Sequence, residues 1–177
     1  HAMPVRKELG FRTIFNILGP LSNPAGTKRA VIGVYSMPLC RTVADSMLKL
    51  GAKKAFIVHG YDGIDEITTC AETKICEIRD GNIIEFNFNP AEHGIKISPT
   101  GSLKGGSPHE NAEIMKKIFA GKEKGPIKDA VILNASAAIL ASGKTNTWND
   151  AIKMALNSLD AGKAMIKLEQ LIKLTNS

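Results

Sequence analysis

A strand–helix–strand unit over residues 30–58 is the strongest constraint on how this chain folds. Ala30–Tyr35 and Ala55–Val58 are short, apolar and partly β-branched, as buried strands are. Between them, Pro38 suits a first helical turn, apolar residues recur at helical spacing, and Gly51 provides a C-cap. Because a helix connects the two strands, we expect them to be parallel neighbours in one sheet.

Other segments add a hairpin and several helices. Residues 74–78 and 83–88 alternate apolar and polar side chains around Asp80-Gly81, which predicts an antiparallel hairpin with one solvated face. Residues 9–18 carry an apolar helical stripe that Gly19-Pro20 should end, before a loop over 21–26. Further helices are predicted from Ser107 to Phe119, over 129–140, from Thr147 to Leu159, and from Gly162 to 174. The predicted class is α/β, with a mainly parallel sheet, an antiparallel hairpin and a helical C-terminal half.

Length, composition and charge narrow the class of protein. A chain of 177 residues with 44% hydrophobic and 23% charged residues is typical of one globular domain, which excludes disorder and membrane insertion. Three scattered cysteines indicate reduced thiols and a cytoplasmic protein. The net charge is +6, and residues 1–60 hold nine Lys or Arg against two acids, which suits a nucleic acid or a small anionic ligand. With 5% aromatic residues, there is little to stack on bases, which favours the small anion.

The loop directly after the second predicted strand is the main candidate site. Ligands of open α/β sheets bind outside the carboxyl ends of the strands. Asp65 and Glu66 are adjacent acids in this loop with no nearby Lys or Arg, a pattern that suits Mg²⁺. The alternative is a solvated acidic turn. His59, at the strand end, is expected to be structural.

Two further segments are weaker candidates. Arg6 and Arg12 could clamp a carboxylate or phosphate, although arginines at such positions are commonly ordinary surface residues. Residues 101–107 precede a helix and are rich in glycine, as some phosphate loops are. They lack the Walker spacing, and Ser107 fits an N-cap better.

Four runs of residues resemble one known family. They are PVRKELGFRTIFNILGPLSNP at 4–24, VHG with GIDE at 58–66, GG with ENA at 105–112, and DAVILNA at 129–135. In this order, they resemble anthranilate phosphoribosyltransferases, whose catalytic domain has a nucleoside phosphorylase/phosphoribosyltransferase-type fold. The agreement favours the metal-site interpretation of Asp65 and Glu66 over the solvated turn.

The resemblance implies a reaction and a site. Members join the amine of anthranilate to C1 of phosphoribosyl pyrophosphate, releasing pyrophosphate, in tryptophan biosynthesis. It implies Mg²⁺ as cofactor, held through Asp65 and Glu66, with Arg6 on the anthranilate carboxylate and Pro20 along the anthranilate path. No residue of this chain is assigned as a catalytic acid or base. Positioning and electrostatics should carry the reaction.

The resemblance also implies missing parts. The family's N-terminal helical domain, which forms its dimer interface, has no counterpart here, nor does its Gly-Thr-Gly-Gly-Asp pyrophosphate loop. Residues 1–177 are therefore expected to be part of the catalytic domain, residues 1–3 to include a cloning remnant, and the chain alone to be inactive. The full-length protein should be a homodimer that binds neither nucleic acid nor membrane. Two alternatives stay open at this point: a related enzyme with another acceptor, and a basic nucleic-acid-binding module.

Overall fold

The computed structural model describes residues 13–176, which form an α/β fold. The helices are α1 (Phe15–Leu21), α2 (Pro38–Lys49), α3 (Pro108–Phe119), α4 (Pro126–Ser142), α5 (Trp148–Asp160) and α6 (Lys163–Thr175). The strands are β1 (Arg29–Gly33), β2 (Lys54–Gly60), β3 (Thr73–Arg79) and β4 (Asn82–Phe88), followed by a 3₁₀ turn over Pro90–His93.

The four described strands form a mixed sheet in the order β1-β2-β3-β4. β1 and β2 are parallel, with Ile32 opposite Ile57, which confirms the predicted strand–helix–strand unit. β3 and β4 are the predicted hairpin. The hairpin pairs directly with β2 in antiparallel orientation, so the parallel share of the sheet is smaller than we predicted.

Helices cover both faces of the sheet. α2 packs against β2 and β3 on one face, where the core includes Val43, Met47, Ile57 and Ile78. α4 packs against β1 and β2 on the other face, and α5 packs on α4. The prediction of one solvated face therefore fails for β3, which lies between β2 and β4 under both layers and is buried at Ile75, Cys76 and Ile78. β4, at one edge of this sheet, keeps exposed positions at Asn82, Ile84, Glu85 and Asn87.

The predicted end of the first helix is wrong. α1 includes Gly19 and Pro20 and ends at Leu21. Proline keeps a helical φ, and its clash with the preceding residue is relieved because Gly19 has no Cβ. The final turn is closed at Ser22, whose backbone N–H and side-chain hydroxyl both donate to the carbonyl of Leu18, at 2.8 and 2.6 Å.

The predicted caps of the C-terminal helices are present. Ser107 and Glu110 form the capping box of α3, and the Thr147 side chain accepts a hydrogen bond from the backbone N–H of Asp150 at the start of α5. Gly143 ends α4 with a φ of +81°, a value that suits glycine.

Cys40, Cys70 and Cys76 are free thiols. None of the helices within residues 13–176 combines the length and apolar character needed to cross a membrane.

Candidate active site

The loop after β2 lies at the carboxyl ends of the two parallel strands, as predicted. The backbone N–H of Val34, just beyond β1, donates to the carbonyl of Val58 at 3.0 Å. The buried His59 ring has Nδ1 2.7 Å from the carbonyl oxygen of Val34. His59 therefore ties the ends of the two strands together, which is the structural role expected for it.

A tight turn begins the loop. The backbone N–H of Gly60 donates to the carbonyl of Ile64 at 2.8 Å, and that of Gly63 donates to the carbonyl of Gly60 at 2.9 Å. Gly63 has a φ of +94°, where other residues are strained. Gly33 at the end of β1 has no room for a side chain, because a Cβ there would overlap the carbonyl oxygen of Asp65. The backbone of Asp65 is thus packed against β1.

The three acidic residues of the loop differ in their surroundings. Asp62 is half-buried, and its Oδ2 accepts a hydrogen bond from the Thr68 hydroxyl at 2.6 Å. Asp65 and Glu66 are exposed. Neither of these two carboxylates forms a hydrogen bond or ion pair with another residue of the described part of the chain. Asp62 therefore holds the loop together, whereas Asp65 and Glu66 are available to a ligand.

Asn134 of α4 fixes the loop from the other side. Its side-chain oxygen accepts the backbone N–H of Ile67 at 3.0 Å, and its side-chain nitrogen donates to the Ile67 carbonyl at 2.8 Å. The same nitrogen donates to the carbonyl of Ala130, one turn back in the helix, at 2.9 Å. Ile67 is buried and immediately follows Glu66, so this contact fixes the backbone next to the two exposed carboxylates.

A pocket of about 160 Å³ lies between this loop and α1. It is lined by Asn16, Ile17, Pro20, Ile32, Gly33, Val34, Tyr35 and Asp65. The structure thus brings together Pro20 and Asp65, two of the predicted site residues, although 45 positions separate them in the sequence. Glu66 does not line this pocket. Arg6, like Arg12, lies outside the described residues.

The glycine-rich segment before α3 is engaged in capping, as predicted. The backbone N–H of Ser107 donates to the Glu110 carboxylate at 2.7 Å. The backbone N–H of Gly106 donates to the Asn111 side chain at 2.8 Å, and Asn111 donates back to the Gly106 carbonyl at 3.1 Å. These two amides already have partners, so they are not free to hold a phosphate.

Sequence reasoning did not assign the residues that hold the loop in position. Asp62, Thr68 and Asn134 each contact the loop without being candidates from the sequence. The available signal for Asn134 was a lone amide in an otherwise apolar helix, since a half-buried polar side chain needs a hydrogen-bond partner. Nothing in the sequence indicated that this partner would be Ile67.

Comparison with known proteins identifies the family. Residues 1–165 match the model of the glycosyl transferase family, a/b domain. The chain belongs to this family. Among curated members, it is 45% identical over 177 residues to the anthranilate phosphoribosyltransferase of Desulfosudis oleivorans and 44% identical to that of Acetivibrio thermocellus. It covers 52% and 51% of those proteins, so the chain spans about half the length of the curated relatives it matches.

Solved structures that are similar in sequence to this chain have the same fold. Anthranilate phosphoribosyltransferase from Thermus thermophilus superposes with a TM-score of 0.88 at 40% identity, over 98% of this chain and 51% of that one. The Saccharomyces cerevisiae enzyme in complex with PRPP and Mg gives a TM-score of 0.86 at 29% identity, over 98% and 50%. These matches confirm the predicted resemblance and fold class.

Proposed function

We propose that this chain is the part of an anthranilate phosphoribosyltransferase that contributes the magnesium and anthranilate sites. The reaction would join the amine nitrogen of anthranilate to C1 of phosphoribosyl pyrophosphate, break the bond from C1 to the pyrophosphate oxygen, and release the amine proton. The observation that carries the proposal is the pair of exposed carboxylates, Asp65 and Glu66, on a loop fixed at the carboxyl end of the parallel strands. The reported relatives are anthranilate phosphoribosyltransferases, which favours anthranilate over another acceptor and over nucleic acid.

Asp65 and Glu66 suit Mg²⁺ by their chemistry. Within residues 13–176 there is no cluster of three or more His, Cys, Asp or Glu side chains that could enclose a metal. Mg²⁺ does not need such a cluster, because it commonly takes one or two carboxylates and completes its shell with water and substrate phosphates. Bound with the donor, it would neutralise charge on the departing pyrophosphate. The part of Asp65 and Glu66 is to hold the ion.

The acceptor side of the proposal rests on Arg6 and Pro20. Arg6 would bind the anthranilate carboxylate through its planar fork of donors. Pro20 would form a wall of the anthranilate path, and the pocket that it shares with Asp65 supports an acceptor lying beside the metal site. We assign no general base in this chain, since fixed orientation of amine and C1 can account for most of the acceleration.

The cellular setting is proposed on the same basis. A cytoplasmic location fits the three free cysteines. A homodimer is proposed for the full-length protein, with small-molecule substrates and neither nucleic acid nor membrane as a partner.

The proposal is tested with the full-length parent protein, anthranilate, phosphoribosyl pyrophosphate and Mg²⁺. Formation of the fluorescent phosphoribosyl-anthranilate is followed, and a nucleobase is offered as a competing acceptor. We expect product formation from anthranilate that the nucleobase does not suppress. Transfer to the nucleobase instead, or no transfer to anthranilate, would contradict the proposal.

A further inference from the structure

Three cationic residues are paired across three adjacent strands, at the end of the sheet opposite the loop with Asp65 and Glu66. Arg29 is paired with Lys54, and Lys54 is paired with Arg79. Side chains of directly paired residues point to the same face, and like charges there repel each other. Neighbouring strands lie about 5 Å apart, so the row spans roughly 10 Å. Such a row has an electrostatic cost that a bound anion would remove.

Lys54, in the middle of the row, is the most unusual of the three. It is 8% exposed. Its ammonium contacts the Asn146 side-chain oxygen at 3.4 Å and forms no ion pair with any residue from 13 to 176. A buried cation is costly unless it is paired and hydrogen-bonded. One long contact with a neutral amide provides little of the charge pairing and hydrogen bonding that the buried Lys54 ammonium needs.

The two outer cations also keep free donors. Arg29 Nη1 donates to the carbonyl of Ala141 in the last turn of α4 at 2.7 Å, which is a favourable position for a cation. Arg79 Nη1 lies 3.8 Å from Glu77 Oε1, a loose ion pair. A guanidinium has five N–H donors, so each arginine can bind a further acceptor.

These side chains line an open cavity of about 670 Å³. Four of the lining residues are cationic, because Lys53 joins the row, and Asp80 is the one acidic residue among them. The volume lies within the usual range for small-molecule sites. We propose that this cavity binds a small molecule through a phosphate group, whose oxygens accept hydrogen bonds from Arg29, Lys54 and Arg79.

The cavity is distinct from the candidate active site. Lys54 begins β2, whereas the loop with Asp65 and Glu66 follows the end of that strand at Gly60. Six residue steps of an extended strand separate the two ends by about 20 Å. The inference therefore does not depend on the proposed function.

The test is a titration of the ¹⁵N-labelled chain with inorganic phosphate, followed by amide chemical shifts against potassium chloride at matched ionic strength. We expect saturable shifts at Lys53, Lys54, Arg79 and Gly143. Arg79→Gln, which replaces a side chain that is 46% exposed, should weaken phosphate binding about tenfold. Lys54→Gln should do the same if it folds, and Lys104→Gln, which removes an exposed lysine elsewhere, should leave the affinity unchanged.

Four results would overturn the proposal. The first three are shifts that chloride reproduces, shifts that do not saturate, and binding that Arg79→Gln and Lys104→Gln weaken equally. Shifts confined to Gly33 and the loop of Asp65 would also overturn it, while supporting an anion at the candidate active site. Failure of the two proposals can thus be told apart.

Discussion

Asp62, Asp65 and Glu66 are three acids within five residues, and their neighbours divide them between two roles. Asp62 accepts a hydrogen bond from Thr68 and holds the turn together. Asp65 and Glu66 are exposed on a backbone that is fixed at Gly33 and at Ile67. Rigid support beneath exposed carboxylates lowers the cost of ordering them around a ligand.

Asn134→Ala should destabilise the chain and loosen this loop. The change removes two hydrogen bonds to Ile67 and leaves its backbone groups without those partners, at a cost of about 1–3 kcal/mol. Urea unfolding measures the loss. Asn157→Ala, an exposed asparagine on α5, is the matched control and should change stability by less than about 0.5 kcal/mol. Equal effects of the two substitutions would show that the Asn134 contact does not support the loop.

Arg6→Ala in the full-length protein should raise the KM for anthranilate. Loss of a charge-assisted contact with the carboxylate costs about 1.5–3 kcal/mol, or roughly 10- to 150-fold. Steady-state kinetics with each substrate varied in turn measures this, with Arg41→Ala on α2 as the control. If only the KM for phosphoribosyl pyrophosphate changed, Arg6 would be assigned to the donor.

The sequence was informative about these residues where the signal was local. Because Asp65 and Glu66 follow an apolar strand, the sequence predicted that they lie at the carboxyl end of the parallel strands. His59 at the end of that strand was correctly expected to be structural. The contact of Asn134 with Ile67 joins residues 67 positions apart, and no local pattern specifies such a pair. The pocket that Pro20 and Asp65 line also depends on residues far apart in the sequence, so no local pattern specifies it.

At the scale of elements, an ion-pair network joins α2 to the β3–β4 hairpin. Glu85 on β4 pairs with Lys74 on β3 and with Arg41 on α2, each at 2.9 Å. Hydrogen bonds from Lys74 and then Arg41 hold the pKa of the Glu85 carboxyl below its usual value. The stabilisation is therefore present at neutral pH and is lost as the pH falls through the lowered pKa.

Glu85→Gln should thus destabilise the chain slightly at pH 7 and have less effect at an acidic pH below the lowered pKa of Glu85, where the wild-type carboxyl is protonated. The effect is small because the network is partly exposed. Urea unfolding at both pH values measures it. Glu92→Gln removes an exposed carboxylate that has no ion pair with a described residue and serves as the control. A Glu85→Gln effect that is equal at both pH values would contradict this account.

Elements with strong local signals were predicted well. Spacing and caps identified α2 to α6 and all four strands, with bounds shifted by a few residues. The end of α1 was wrong because Gly19-Pro20, usually a stop, stays helical when the residue before proline lacks a Cβ. The burial of both faces of β3 could not be predicted, since it depends on two core clusters formed by distant parts of the chain, one joined by Ile75 and the other by Ile78.

At the scale of the whole molecule, the parallel pair β1–β2 brings α1 and the acidic loop to the same end of the sheet. The 177 residues contain no Gly-Thr-Gly-Gly-Asp sequence, the segment that the family resemblance implies would hold the pyrophosphate. In the proposed site, Asp65 and Glu66 would attract the metal but repel bare pyrophosphate. We therefore expect the 177-residue chain alone to form no measurable phosphoribosyl-anthranilate under conditions where the full-length protein does. Turnover near the full-length rate would refute this expectation.

The most direct test of the account is the Mg²⁺ dependence of turnover in a full-length protein that carries both Asp65→Ala and Glu66→Ala. We expect a loss of about 100-fold or more at limiting Mg²⁺, because in the proposed site these carboxylates would hold the ion against the pyrophosphate. The melting temperature should hardly change, since both side chains are exposed. Glu92→Ala, as the control, should keep full turnover. Wild-type turnover by the double variant at limiting Mg²⁺ would contradict the magnesium site.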